Sequence, residues 1–208
     1  VLQIHRLVHE TPKEETMRAL NDVVKRGWVR YIGASSMATW EFQELQYIAE
    51  KHNWVKFISM QNLYTLLYRE EEREMIPYCR HTGVGVIPWF AVAAGVLTRP
   101  WDDASTERAK SDSLLRTLLK NSDGTPEHEI VNRVEEVAKK KNVSMAQVAT
   151  AWLLSKPGVN PLLGLSKKER IDEAVAAIHL KLTEEEIKYL EEPYMPCLLY
   201  TSPSPRDV

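Results

Sequence analysis

Five short stretches carry the side chains that could do chemistry, and they recur along the chain. They are His5–Arg6, Ser35–Ser36, Gln61–Asn62, Trp89–Phe90 and Leu165–Ser166. Each closes or follows an apolar run: "VLQIH", "VRYIG", "FISMQ", "VGVIPW" and "NPLLGL". An imidazole can donate a hydrogen bond or move a proton near neutral pH. Lys167, Lys168 and Arg170 crowd what reads as the first turn of a helix after Ser166. Cations there oppose the helix dipole, while the open N–H groups of such a turn suit a phosphate, so the cluster points to an anionic partner. Each group also has a plain structural reading. His5 could be a hydrogen-bonded core residue, Ser36 and Ser166 helix caps, Gln61–Asn62 loop formers, Trp89 core filling, and the three cations a solvated face.

The five apolar runs predict strands at 1–5, 29–33, 57–61, 84–89 and 160–165. The first four begin about 28 residues apart, the length of a βα unit. They are apolar nearly throughout rather than alternating, which fits parallel strands covered on both faces. Helix signals fall between them. Thr11 and Glu14 read as a capping box with Pro12 at the first helical position, and Gly27 as the stop; Met17, Leu20, Val23 and Val24 make the stripe. Trp40, Leu45, Ile48 and Ala49 give the next stripe, and 69–81 a third helix. Thr125–Pro126 opens a fourth, with Ile130, Val131, Val134, Val137 and Ala138 inward. The pairs Ser144/Gln147, Ser166/Glu169 and Thr183/Glu186 box three more.

Alternating βα units mean an α/β protein with a parallel sheet. With even spacing and no Gly-rich dinucleotide fingerprint, the pattern favours a (β/α)8 TIM barrel over a doubly wound sheet. Five strands cannot close that barrel, so the expectation is its C-terminal portion, about five βα units. The strand-ending residues would then share one mouth, where barrel enzymes do their chemistry. The long polar stretch 98–128 would lie over that mouth as a lid or strap.

Composition narrows the function classes. Of 208 residues, 44% are hydrophobic and 27% charged, which suits a globular domain. A formal net charge of -2 gives no drive toward nucleic acid or an anionic membrane. No apolar run approaches the ~18 residues of a spanning helix, and no signal peptide is visible. Cys79 and Cys197 do not make a disulfide framework, which points to a reducing compartment, the cytoplasm. His5 and His9 are four apart, but Pro12 and the strand pattern keep them off one helix face, so no metal site is expected. Ser-His-Asp spacing, a P-loop and CxxC are absent.

Taken together, the motifs resemble the aldo-keto reductase superfamily, in particular its fungal members that reduce aldehydes and ketones. The resemblance covers about residues 1–196 and rests on "LQIHR", "VRYIGASS", "MQNLYTLLYREEEREMIPYCR", "GVGVIPW" and "GLSKKERIDEAVAAI". It implies a (β/α)8 barrel that transfers hydride between NADPH and a small-molecule carbonyl substrate. It implies that His5 is the histidine of a catalytic Asp-Tyr-Lys-His tetrad. Ser35 and Gln61 would hold the nicotinamide carboxamide, and Trp89 would stack on its ring. Backbone at Phe90, Val92 and Gly95 would meet the pyrophosphate. Ser166 and Arg170, with Leu165 beside them, would grip the adenosine 2′-phosphate, and Glu173 the adenine. Three departures stand out: Ser36 and Ala174 where the family often has Asn, and Phe90-Ala91-Val92-Ala93-Ala94-Gly95 where it usually reads Ser-Pro-Leu-Ala-Arg-Gly. The tetrad Asp, Tyr and Lys belong to strands before "VLQIHR", so the chain is expected to be an N-terminally truncated, inactive piece of the parent enzyme. The last stretch, "CLLYTSPSPRDV" at 197–208, carries no core pattern and reads as a translated sequencing adaptor; it is expected to be a non-native tail. The main alternative is a non-catalytic NADPH-binding subunit of the same fold, such as the β subunits attached to potassium channels. A (β/α)8 protein of unrelated chemistry is the third reading. Oligomeric state is not legible.

Overall fold

Four strands form one parallel sheet in chain order: β1 (Leu2–Gln3), β2 (Ile32–Ser35), β3 (Phe57–Gln61) and β4 (Gly85–Val86). The structure is a computed structural model that describes residues 1–103 and 125–196. Most of the predicted lid, 104–124, and the whole 197–208 stretch lie outside the described residues. Helices α1 (Lys13–Lys25), α2 (Thr39–Lys51) and α3 (Met75–Thr82) link successive strands. After β4 come α4 (Pro126–Lys141), α5 (Met145–Leu154), α6 (Lys168–Ala177) and α7 (Glu184–Glu191), with 3-10 turns at Glu70–Glu72 and Ala93–Thr98. Adjacent parallel neighbours in simple succession are what a barrel wall requires.

Several elements form as their residues dictate. Gly27, at φ 74°, lets the Trp28 N–H reach the Val23 carbonyl and closes α1. The Thr125 hydroxyl accepts the His128 N–H, and Ile130, Val131, Val134, Val137 and Ala138 are all buried on α4. Both bonds of the Ser144/Gln147 and Thr183/Glu186 boxes are made. The core joins the helix-facing strand residues Ile32, Ala34 and Met60 to Phe42 and Leu45 of α2 and to Trp152 and Leu153 of α5.

Other expectations are corrected. The Thr11/Glu14 box does not form: α1 begins at Lys13 with Pro12 as its cap, so Thr11 sits one residue too early. Likewise α6 is capped by Lys167, not boxed by Ser166/Glu169. Trp40 is 62% exposed rather than core, its ring covered on one side by the Lys13 ammonium at 4.5 Å. The predicted 69–81 helix splits into a 3-10 turn and α3. The second strand begins at Ile32, not Val29, because the turn after α1 takes up the intervening residues. Residues 160–165 form no strand: Asn160 and Leu162 N–H groups reach the Val86 and Pro88 carbonyls, but Pro88 and Pro161 lack the N–H needed to continue a ladder. The strands are also not covered on both faces, since Leu2 and Ile58 are 39% and 43% exposed.

A polar clasp ties the segment after β3 to the last helices. Arg69 donates through Nε and Nη2 to both Glu72 carboxylate oxygens (3.0 and 2.7 Å) and through Nη2 to Glu191 Oε2 (3.1 Å). Glu191 also accepts from Trp152 Nε1 (2.8 Å) and from Lys156. The Tyr64 hydroxyl donates to Glu72 (2.6 Å), and burial, reinforced by that carboxylate, pushes its phenol well above the ordinary value. Burial opposes the charges on Glu191 and Arg69, and their partners overcome it: Glu191 titrates below, and Arg69 above, its ordinary range.

Candidate active site

The register of the sheet sets the strand ends level. Leu2 pairs with Ile32, Ser35 with Gln61 and Met60 with Val86. Backbone bonds continue past the ladder: Ile4 N–H to Gly33 O (3.0 Å), Ser36 N–H to Gln61 O (3.0 Å) and Trp89 N–H to Asn62 O (2.9 Å). His5, Ser35, Gln61 and Trp89 therefore follow one another along the carboxyl end of four neighbouring strands. Leu162 N–H bonds to Pro88 O at 2.8 Å, three residues before Leu165.

His5 is exposed, and its carbonyl accepts from Arg6 Nη1 at 2.7 Å. The same Arg6 nitrogen lies 3.4 Å from Ser35 Oγ. Ser35 is buried at the end of β2, where its hydroxyl donates to the Gln61 carbonyl (2.8 Å) and keeps lone pairs to accept with. Gln61 is half-buried at the end of β3. Ser36, predicted to cap the next helix, instead sits at φ 32°, and Ala38 takes the cap position with Glu41 accepting its N–H. Gly33 of β2 is closely approached: a Cβ there would come within 2.5 Å of Ser59 Oγ and 3.4 Å of Gln3 Oε1.

Trp89 and Phe90 are half-buried and meet edge to face, centroids 5.8 Å apart. Phe90, Ala93 and Ala94 all take left-handed φ values (66°, 49° and 50°), as does Gly95 at 97°. Only the glycine adopts that region without steric cost. The Gly95 N–H, expected to face a pyrophosphate, is committed to the Val92 carbonyl at 2.9 Å. Ser166, Lys167, Lys168 and Arg170 are exposed at the start of α6, with Arg170 Nη1 3.4 Å from Ser166 Oγ. Leu165 is 40% exposed beside them. Glu173 lies one turn on, its carbonyl accepting weakly from Gln147 Nε2 (3.5 Å). Among the described residues no cluster of His, Cys, Asp or Glu could hold a metal ion, and no helix is long and apolar enough to cross a membrane.

Sequence reasoning overlooked the burial of Asn62, which is 0% exposed, and the Arg69 clasp. The dense alternation "YREEER" was the available signal for the clasp, since charges of both signs within one turn often pair.

A parallel sheet with a helix on each crossover and polar groups gathered at its carboxyl end defines a protein of the β/α-barrel class. The aldo/keto reductase family profile matches residues 1–194, and the chain belongs to that family. It is 60% identical over 196 residues to a versiconal hemiacetal acetate reductase of Aspergillus parasiticus, covering 94% of this chain and 57% of the relative. It is 52% identical to an aldo-keto reductase of Alternaria alternata, covering 93% of this chain and 52% of that protein. Among solved structures, a thermostable aldo-keto reductase crystallised with the inhibitor epalrestat matches at a TM-score of 0.72 and 26% identity, over 92% of this chain and 58% of that one. The chain spans a little over half the length of the curated relatives it matches.

Proposed function

We propose that the intact protein reduces an aldehyde or ketone to an alcohol with NADPH, and that residues 1–196 are its NADP-binding portion. Reduced nicotinamide supplies the hydride. The observation that supports this most is the row of His5, Ser35, Gln61 and Trp89 across four adjacent strand ends. In this reading a neutral His5 donates a hydrogen bond to the carbonyl oxygen and helps poise the proton donor. Ser35 Oγ accepts from a carboxamide N–H while its own proton stays on Gln61 O, and the Gln61 side chain offers a matching amide. The Trp89 face holds the ring. Arg170 with Ser166 takes the 2′-phosphate, where a guanidinium fork beside a helix N-terminus suits a dianion and favours NADPH over NADH. The chemistry of the donor set supports the cofactor reading: a hydroxyl and an amide for the carboxamide, an indole face for the ring and a guanidinium for the phosphate.

In this reading His5 is the one tetrad member among these residues, so the 208-residue chain by itself is expected to leave NADPH unoxidised. A relative's name specifies a hemiacetal acetate as its substrate; an oxygen-rich carbonyl compound belongs in any substrate panel. The test is NADPH oxidation by the intact protein across aromatic and aliphatic aldehydes. Turnover that His5→Ala abolishes supports the reading. Tight NADPH binding with no turnover on any carbonyl would favour the non-catalytic subunit instead, and no binding at micromolar NADPH would overturn both.

A further inference from the structure

Arg6 follows His5 directly, and its exposed guanidinium is held at the mouth from one side only. Nη1 donates to the His5 carbonyl (2.7 Å) and lies 3.4 Å from Ser35 Oγ, whose own proton goes to the Gln61 carbonyl (2.8 Å). These contacts fix the head of the side chain between the ends of β1 and β2. They leave the opposite edge unused: among the described residues Nε and Nη2 make no hydrogen bond, and Arg6 pairs with no carboxylate. Nε–H and an Nη2–H form the planar fork that matches the two oxygens of a carboxylate. Arg69 shows the same fork filled, with Nε and Nη2 on the two oxygens of Glu72 at 3.0 and 2.7 Å.

We propose that Arg6 is a specificity-determining residue: its free fork takes a carboxylate of the substrate, so the intact protein prefers carbonyl compounds that bear a carboxylate a few bonds from the reacting carbon. This rests on the reductase reading above. There Ser35 Oγ meets the nicotinamide carboxamide and His5 meets the carbonyl oxygen. Arg6 lies against the first and is the chain neighbour of the second. A carbonyl on His5 and a carboxylate on Arg6 attach the substrate at two points, which orients the carbonyl face toward the ring. A neutral ester offers the fork no charge, so it gains less there. The carboxylate takes no part in the bond changes: hydride from NADPH and one proton still turn the carbonyl into an alcohol. The cations of α6 are placed differently, with Lys168 paired to Asp172 (2.7 Å) and Arg170 leaning on Ser166 (3.4 Å).

The experiment uses the intact protein with NADPH and a matched pair of substrates, meta-carboxybenzaldehyde and its methyl ester. kcat/KM for each is measured in wild type, Arg6→Gln and Arg6→Lys, with NADPH affinity on the same samples. Wild type should prefer the acid. Arg6→Gln should lower the acid-to-ester ratio by about tenfold or more, the loss of one charged hydrogen-bonded contact, carried by KM more than by kcat. Arg6→Lys keeps the charge without the fork and should recover part of the ratio. The alcohol product of the acid, bound beside NADPH where it cannot react, should lose affinity by a similar factor in Arg6→Gln, read by calorimetry. An unchanged ratio in Arg6→Gln, or a wild type that prefers the ester, overturns the proposal. So does an equal loss for both aldehydes with weaker NADPH binding, which would make Arg6 a contact of the cofactor or of the fold. Turnover of the ester without preference for the acid sinks this inference alone, whereas no turnover of any aldehyde sinks the reductase reading beneath it.

Discussion

Arg69, Glu72, Glu191, Trp152 and Tyr64 satisfy one another almost completely, each charge set against an opposite charge or a donor. At the mouth, His5, Arg6, Ser166 and Arg170 stand exposed, and three non-glycine residues of the 90–95 loop hold left-handed backbone. The clasp places its polar groups against protein, where pairing offsets desolvation. The mouth leaves its polar groups facing outward and keeps strain in its loop. Unspent hydrogen-bonding capacity and strained backbone at this end of the sheet are what the proposed cofactor site would draw on.

Breaking the clasp should cost the most. Arg69→Met leaves the Glu72 and Glu191 carboxylates without their shared cation, and stability should fall by about 3–5 kcal/mol, read by urea unfolding of the intact protein. A loss no greater than that of an exposed ion pair would erase the contrast. Glu71 adds a pH signature to the same segment. Its folded value lies above the ordinary 4.5, so its stabilisation is full below that value and is lost as pH rises through about 7. Stability measured against pH should show this decline in wild type and lose it in Glu71→Gln.

At the mouth, Arg170→Ala should weaken NADPH by about 1.5–3 kcal/mol, the usual worth of a charged hydrogen bond, and leave NADH nearly unchanged by calorimetry. Equal loss for both cofactors would remove the 2′-phosphate contact from Arg170. The smallest effect sharpens the strain argument. Ala94→Gly at φ 50° should raise stability by about 1 kcal/mol, visible as a higher melting temperature. A lower melting temperature would mean that the loop stores no strain at this position.

The parts of the fold that were legible obey local rules. Two of the capping boxes, the inward stripe of α4, the Gly27 stop and the order of the four parallel strands follow from side-chain chemistry within a few residues. Where two signals competed, tertiary geometry chose. Thr11 lost its cap to Pro12, Trp40 left the core for a cation, and Pro88 and Pro161 kept 160–165 from joining the ladder. At the site, residue types at strand ends and the family resemblance nominated His5, Ser35, Gln61, Trp89 and Arg170. They could not show that the Gly95 N–H is already committed or that Ser36 is no cap.

By itself the sequence determined that this is a parallel α/β chain of the aldo/keto reductase family, because hydrophobic period, turn residues and motif order are written locally. Only the tertiary structure decided that Arg69 closes a clasp with Glu191, 122 residues away, and that Asn62 is completely buried. Burial and long-range pairing depend on which segments pack together, and no local spacing encodes the dielectric a side chain will meet.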